Sequence, residues 1–370
     1  MIYAQELYNQ TVGSYDNIRV WEERLKTKAL AAGFETPMNA FRPQSNFRYP
    51  NFPGLPEDLG DPYASFKRLA FPDHPENVHL YPTLTQAIQN WIEKLNLQGK
   101  TLLIQKPSAP EFLEVAATLK CPIAWVSRDP DEWLEAPWLT AGAFLCSQPS
   151  RADGFFYPQG NLDKLIIEIR RMRPDLPVLS EQSSSLFSLN AIPPGSLPHG
   201  KNNFIVKTLW PVWSPQGRPV SWIYGYDALP TESIERTSVS EVTEALQTLL
   251  TFHTRQGAAF GEFERKILLV QKGLRMFTDA LKPVTIPRLC KIPLWPESGF
   301  SLLLDVAPIL KKRGQNIEEF CTRLAEKEGI LLAPGTLVGE PQQALLCYAA
   351  VPKWLEDLGK RLSESFSKDS

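Results

Sequence analysis

The chain has 370 residues, 43% hydrophobic and 22% charged, which matches ordinary globular proteins and lies outside the collagenous, coiled-coil and disordered classes. Thirty-nine basic and 41 acidic side chains leave a formal charge of −2. With no long like-charge run, this argues against nucleic acid as a general partner and leaves room only for a local basic pocket. The length suits two or three compact units, and no apolar run approaches the ~18 residues that a membrane span needs.

Residues 1–33 have a polar, helical pattern, and the first ten lack the basic-then-apolar layout of a secretory signal, so a cytoplasmic location is expected. Eight prolines then fall between Pro37 and Pro75, which excludes a long helix or a central strand. The aromatics among them, Phe41, Phe47, Tyr49 and Phe52, call for burial. An extended arm wrapped on another surface is predicted, in the manner of arms that cross subunit interfaces.

After Glu76 short apolar runs alternate with amphipathic stretches. Residues 100–104 (KTLLI), 122–126 (PIAWV), 142–146 (GAFLC), 177–180 (PVLS) and 203–207 (NFIVK) read as strands, and 111–120 and 162–172 as helices. Strands in alternation with helices predict an α/β fold, a mainly parallel sheet covered on both faces. Residues 238–281 predict one or two long helices. Beyond them come a strand at 299–306, a helix ending near Gly329, two further strands (GILLAPGTL and ALLCYAA) and a closing helix carrying Trp354, Leu355, Leu358, Leu362 and Phe366. The division expected is 1–75 as helix and proline-rich arm, 76–255 as a large α/β domain and 256–370 as a smaller α+β unit.

The five cysteines, Cys121, Cys146, Cys290, Cys321 and Cys347, are scattered and lack CxxC spacing, so buried free thiols in a reducing compartment are expected. His74, His79, His199 and His253 have no metal-ligand spacing. The serine-rich stretch 181–188 has no GxSxG elbow and reads as a loop.

Six stretches taken in order carry a resemblance. They are 78–112 (VHLYPTLTQAIQNWIEKLNLQGKTLLIQKPSAPEF), QPSRADG at 148–154, PVLSEQS at 177–183, FIVKTLWPVWSPQGRPVSWIYG at 204–225, PESGFSLLLDV followed by EKEGILLAPGTLVGEP, and PKWLEDLGKRL. Their order and spacing resemble the fold-type I, pyridoxal-phosphate-dependent aminotransferases, particularly the class I/II branch of histidinol-phosphate aminotransferase. The resemblance implies a large domain of the aminotransferase type, a small C-terminal domain and a homodimer with sites at the subunit interface. It also implies a lysine for the cofactor aldehyde, a carboxylate for the pyridine nitrogen, a stacking aromatic, a phosphate site at a helix start and an arginine for the substrate carboxylate.

Placed without gaps, the lysine position of that family falls on Pro211, with Lys207 four residues earlier as the fallback amine. The carboxylate position falls on Ser180, with Glu181 expected on the opposite side of the strand. Ala109 stands at the stacking aromatic, Arg151 at the cofactor-hydroxyl asparagine, Ser183 at the tyrosine, Thr83 at the phosphate-turn glycine, Pro219 at the phosphate arginine and Leu345 at the substrate arginine.

These departures predict an aminotransferase-fold protein without pyridoxal phosphate or any other cofactor, acting as a pseudoenzyme that binds a small anionic or planar ligand or a partner enzyme. Its pocket is expected to be lined by Thr83, Thr85, Arg151, Ser180, Ser183, Trp210, Trp213, Arg218 and Tyr224, beside Lys207. Thr83 and Thr85 would serve as a helix-start anion site. The simpler reading of Trp210, Trp213 and Trp222 is that they fill the volume a cofactor would have taken. The rival reading is a pyridoxal-phosphate-dependent aminotransferase acting on an amino acid, or an enzyme that turns the same cleft to another reaction.

Overall fold

The computed structural model describes residues 18–42, 62–129, 132, 137–185, 188–189, 194–198, 200–209, 220–226, 229 and 256–368. The first elements are helix α1 (Ile18–Ala31), strand β1 (Met38–Asn39), helix α2 (Pro62–Ala70), β2 (His79–Tyr81), α3 (Leu84–Lys94), β3 (Thr101–Gln105), α4 (Pro110–Thr118), β4 (Ile123–Val126) and β5 (Ala141–Ser147). They continue with α5 (Gln159–Met172), β6 (Val178–Glu181), β7 (Asn203–Leu209), β8 (Val220–Gly225) and the long α6 (Gln256–Thr285). The chain ends with β9 (Ser301–Asp305), α7 (Ala307–Arg313), α8 (Ile317–Glu328), β10 (Ile330–Leu331), β11 (Ala333–Pro334), β12 (Gln343–Cys347) and α9 (Pro352–Ser367).

Seven strands form one sheet in the order β2-β8-β7-β6-β5-β3-β4, in which β8 alone runs against its neighbours. The predicted mainly parallel α/β sheet is therefore present. Its central strand β5 (AGAFLCS) is buried at every position, as a strand covered on both faces must be. One face packs under α3 and α4 through Leu102, Ile104, Leu145, Leu179, Phe204 and Val206. The other packs under α5 through Leu103, Phe144, Val178 and Ile205.

Helix α3 follows from its sequence: Thr83 caps it by accepting a hydrogen bond from the Gln86 N–H at 3.2 Å, and Leu84, Ala87, Ile88, Trp91 and Ile92 form its buried stripe. Trp91 meets Phe204 of β7 edge to face, with centroids 5.7 Å apart. Helix α4 opens on Pro110, whose missing N–H costs nothing in a first helical turn.

The C-terminal layer is a three-stranded sheet, β11-β12-β9, antiparallel throughout and backed by helices. Asn316 and Glu319 form a reciprocal capping box at the start of α8, and Gly329 ends that helix at φ +62°, where glycine carries no steric penalty. Helices α6 and α9 approach closely at Gly359, where a Cβ would lie 2.8 Å from the Phe277 carbonyl oxygen.

Three expectations are refined. The stretch GILLAPGTL is two short strands in different sheets, β10 with β1 and β11 with β12, broken at Leu332. The long helix is described over 256–285, and residues 238–255 lie outside the described residues. The described part of the arm folds back on its own chain, with Met38–Asn39 pairing in parallel with Ile330–Leu331 and the Cys347 N–H donating to the Ala40 carbonyl at 2.8 Å. Trp21, Leu25 and Ala29 of α1 join the same C-terminal core. Phe47, Tyr49 and Phe52 lie outside the described residues. All five cysteines are buried and unbonded, as expected. Among the described residues no helix is long and apolar enough to cross a membrane.

Candidate functional site

Strands β2, β3, β5, β6 and β7 all end at one edge of the sheet, the place where open α/β sheets hold their ligands. Side chains alternate between faces along a strand, so strand register decides which residues share the crevice there. Leu179 of β6 and Val206 of β7 lie in the core beneath α3 and α4, whereas Val178 and Ile205 lie beneath α5. Glu181 is paired with Val206 on one side and with Ser147 on the other, so it continues the row of Leu179.

The expected positions of Ser180 and Glu181 are thereby exchanged. Ser180 is buried on the α5 side, where its hydroxyl accepts from the Gln182 amide at 3.2 Å. Glu181 is the carboxylate on the side where α4 begins, and it is fully buried. Both of its oxygens are held: Ser147 Oγ donates to Oε2 at 2.6 Å and the Ser183 N–H donates to Oε1 at 2.9 Å. Ser183 Oγ in turn accepts from the Thr208 N–H at 2.8 Å, tying the turn after β6 to the end of β7.

Arg151, in the turn after β5, completes this group. Its N–H donates to Ser147 Oγ at 3.3 Å, and its guanidinium lies 2.7 Å from Glu111 in the first turn of α4. Burial pushes the Glu181 carboxyl up, and the Arg151 charge together with hydrogen bonds from Ser147 and Ser183 opposes that shift. Ala109, at the start of α4, is fully buried and offers no ring.

The other predicted residues divide between positions. Lys207 is partly buried on β7 and pairs with Trp222 of β8, in the row facing α5. Burial lowers its ammonium to about 8, with the Glu181 charge acting in the opposite direction. Tyr224 is a core aromatic on that same α5 side, 5.2 Å from the Phe71 ring, with its phenol pushed up to about 12 by burial. Trp222 meets Phe66 of α2 at 5.1 Å, so it fills the α5-side core and not the crevice beside Glu181.

Thr83 and Thr85 stand at the start of α3 on the same edge of the sheet. The Thr83 hydroxyl is engaged in capping, and Thr85 Oγ1 lies 3.5 Å from Glu114 of α4. Leu345 is a buried residue of β12 opposite Leu303. Trp210, Pro211, Trp213, Arg218 and Pro219 lie outside the described residues.

A cavity of about 280 Å³ flanks the site between the sheet edge and the C-terminal layer, lined by Pro107, Arg128, Asp153, Leu294 and Glu340 among others. Arg128 binds Asp153 through two hydrogen bonds of 2.8 and 2.7 Å and lies 4.4 Å over the Phe155 ring. Lys106 faces Glu340 at 3.6 Å, and the Ser108 N–H donates to the Val338 carbonyl at 3.1 Å across the same seam.

This architecture is that of the fold-type I aminotransferases. A Thermus thermophilus aspartate aminotransferase mutant superposes with a TM-score of 0.73 over 93% of this chain and 96% of its own, at 15% sequence identity. An aminotransferase from Mycobacterium tuberculosis gives 0.70 over 96% and 98% at 13% identity, and the alanine aminotransferase of Pyrococcus furiosus 0.70 over 96% and 98% at 16%. In sequence, nicotianamine aminotransferase A of Hordeum vulgare is 24% identical over 308 residues, 76% of this chain and 64% of that protein, so the match spans less than two thirds of the relative. No family profile matches the chain.

These findings overturn two expectations, that the scaffold is a pseudoenzyme without pyridoxal phosphate chemistry and that it takes no cofactor. The proteins it resembles in sequence and in fold are named as aminotransferases. Ser180 is followed on β6 by a buried carboxylate, Glu181, on the face beneath α3 and α4.

Proposed function

We propose that this chain is a pyridoxal-phosphate-dependent aminotransferase of the class I/II kind that acts on an amino acid. The observation that carries the reading is Glu181, a fully buried carboxylate at the carboxyl end of β6 with both oxygens held by donors. Pyridoxal phosphate, when bound, supplies the electron sink that lets the α-proton of an amino acid leave. The chain fits that group at the ring nitrogen, where Glu181 would be its anionic partner. It also fits at the start of α3, whose first turn and Thr83 and Thr85 would take the phosphate.

The amine is the demanding part of the fit, because Lys207 belongs to the row of β7 opposite that of Glu181. Lys207 is taken as that amine because it lies on β7, the strand next to that of Glu181, four residues before the position the resemblance gives to the lysine, and burial lowers its ammonium to about 8. Ser147 and Ser183 orient Glu181, and Ser183 also fixes the end of β7 through the Thr208 N–H. Residues 76–255 would carry these groups and 256–370 would close over them. A cytoplasmic homodimer belongs to the same reading, supported by the resemblance alone.

The test is a half-reaction followed by absorbance. Protein loaded with pyridoxal phosphate should change its visible spectrum when mixed with amino acids one at a time and regain the first spectrum with a 2-oxo acid. Loaded protein whose spectrum no amino acid changes would contradict the proposal.

A further inference from the structure

The turn after β5 places the Arg151 guanidinium against Glu111 and the Arg151 backbone N–H one hydrogen-bonded residue away from Glu181. Glu111 of α4 lies 2.7 Å from the guanidinium, with both side chains largely buried. On the other side the Arg151 N–H reaches Ser147 Oγ at 3.3 Å, and Ser147 passes a hydrogen bond of 2.6 Å to Glu181. The Arg151 backbone thus reaches Glu181 through a hydrogen-bond relay, while its guanidinium charge acts to lower the Glu181 carboxyl. An arginine here is costly to bury unless its charge is used.

We infer that Arg151 is a positioning residue for Glu181, clamped by Glu111, and that its charge and the Ser147 relay favour the ionised form of the Glu181 carboxyl over the neutral acid and fix its direction. Among the described residues the other charged and titratable groups around Glu181 are few. Lys207 lies on the neighbouring strand β7, in the opposite row. Cys146 of β5 has its thiol pushed up to about 12 by burial and stays neutral. Asp153, two residues beyond Arg151, is spent on Arg128. Arg151 is thus the cation of the α4-side row among the described residues, and Glu111 competes with Glu181 for it.

That competition makes the inference specific, because the two partners of the clamp should act in opposite directions. Removing the arginine charge in Arg151→Met should raise the titration midpoint of Glu181 by on the order of one pH unit or more. Arg151→Lys, which keeps the charge, should restore most of that shift. Glu111→Gln frees the guanidinium for Glu181 and should lower the midpoint. A purely structural clamp would move it the same way in Arg151→Met and Glu111→Gln, through loosened packing.

The measurement uses the full chain without added cofactor. The infrared band of the protonated Glu181 carboxyl is followed against pH and identified by its loss in Glu181→Gln. The inference rests on the proposed function only for its catalytic consequence, so a chain that never binds pyridoxal phosphate would still show these shifts. Equal midpoints in wild type and Arg151→Met would overturn it, as would a raised midpoint in Glu111→Gln. If Arg151→Met does not fold, the direction of the Glu111→Gln shift decides by itself, downward in support and upward or absent against.

Discussion

The two faces of the central sheet reach the same edge with different chemistry. On the α4 side the strand residues at that edge are Ser147, Glu181, Thr208 and Ser221, a polar row in which Ser147 bonds Glu181 and Ser221 bonds Thr208 at 2.9 Å. On the α5 side the corresponding residues are Cys146, Ser180, Lys207 and Trp222, continuing into a core with Phe66, Phe71 and Tyr224. A shift of one residue along β6 or β7 would exchange the two rows. Backbone register, more than the presence of a motif, decides which side chains line this crevice.

The largest test of that contrast is Lys207→Ala. If Lys207 of the α5-side row serves the crevice, amino-donor turnover should fall by on the order of 10²–10⁴-fold, as for loss of a general base. Turnover unchanged by the substitution would place the reacting amine elsewhere and break the pairing of the two rows.

Core deletions beneath each face sharpen the comparison. Trp91→Ala, under the Glu181 row against Phe204, and Phe144→Ala, under the α5 side, should each cost about 3–5 kcal/mol in denaturant unfolding. Trp91→Ala should in addition weaken pyridoxal phosphate binding, and Phe144→Ala should leave it near wild type.

Removing the α3 cap is a smaller change. Thr83→Ala should destabilise by about 1 kcal/mol, because the Gln86 N–H loses its acceptor, and should also weaken binding of inorganic phosphate at that helix start. Equal phosphate affinity in the two proteins would remove Thr83 from the site.

A further test is a pH slope. Lys207 has a folded-state value of about 8 against an ordinary 10.5, so between those values the unfolded chain binds more protons and stability rises with pH. Below about 8 both states are protonated and the penalty of burying the ammonium is complete. Lys207→Met should flatten the stability profile across that window, and a wild-type profile already flat there would contradict the lowered amine.

Most of the fold was legible because its signals are local. The strands at 100–104, 122–126 and 142–146 stand within a residue of β3, β4 and β5, and Gly329 stops α8 where a left-handed residue is required. Two features were not legible for physical reasons. Strand β6 reads Val178, Leu179, Ser180, Glu181, all buried, and a strand covered on both faces carries no alternation from which to tell them apart. The face of Glu181 becomes visible only when Val178 and Leu179 are assigned to opposite cores. The pairing of β1 with β10 joins residues far apart in the chain through two positions each, too short a contact to leave a pattern. Arg151 was singled out as a pocket residue, but its link to Glu111 depends on the close approach of the β5 turn to α4.

The most direct test of the central claim is to load the protein with pyridoxal phosphate, reduce it with borohydride and map the pyridoxylated peptide in wild type and in Glu181→Ala. A single stoichiometric label on Lys207 in wild type, formed only weakly in Glu181→Ala, is the predicted result. A label on surface lysines alone, equal in both proteins, would contradict it.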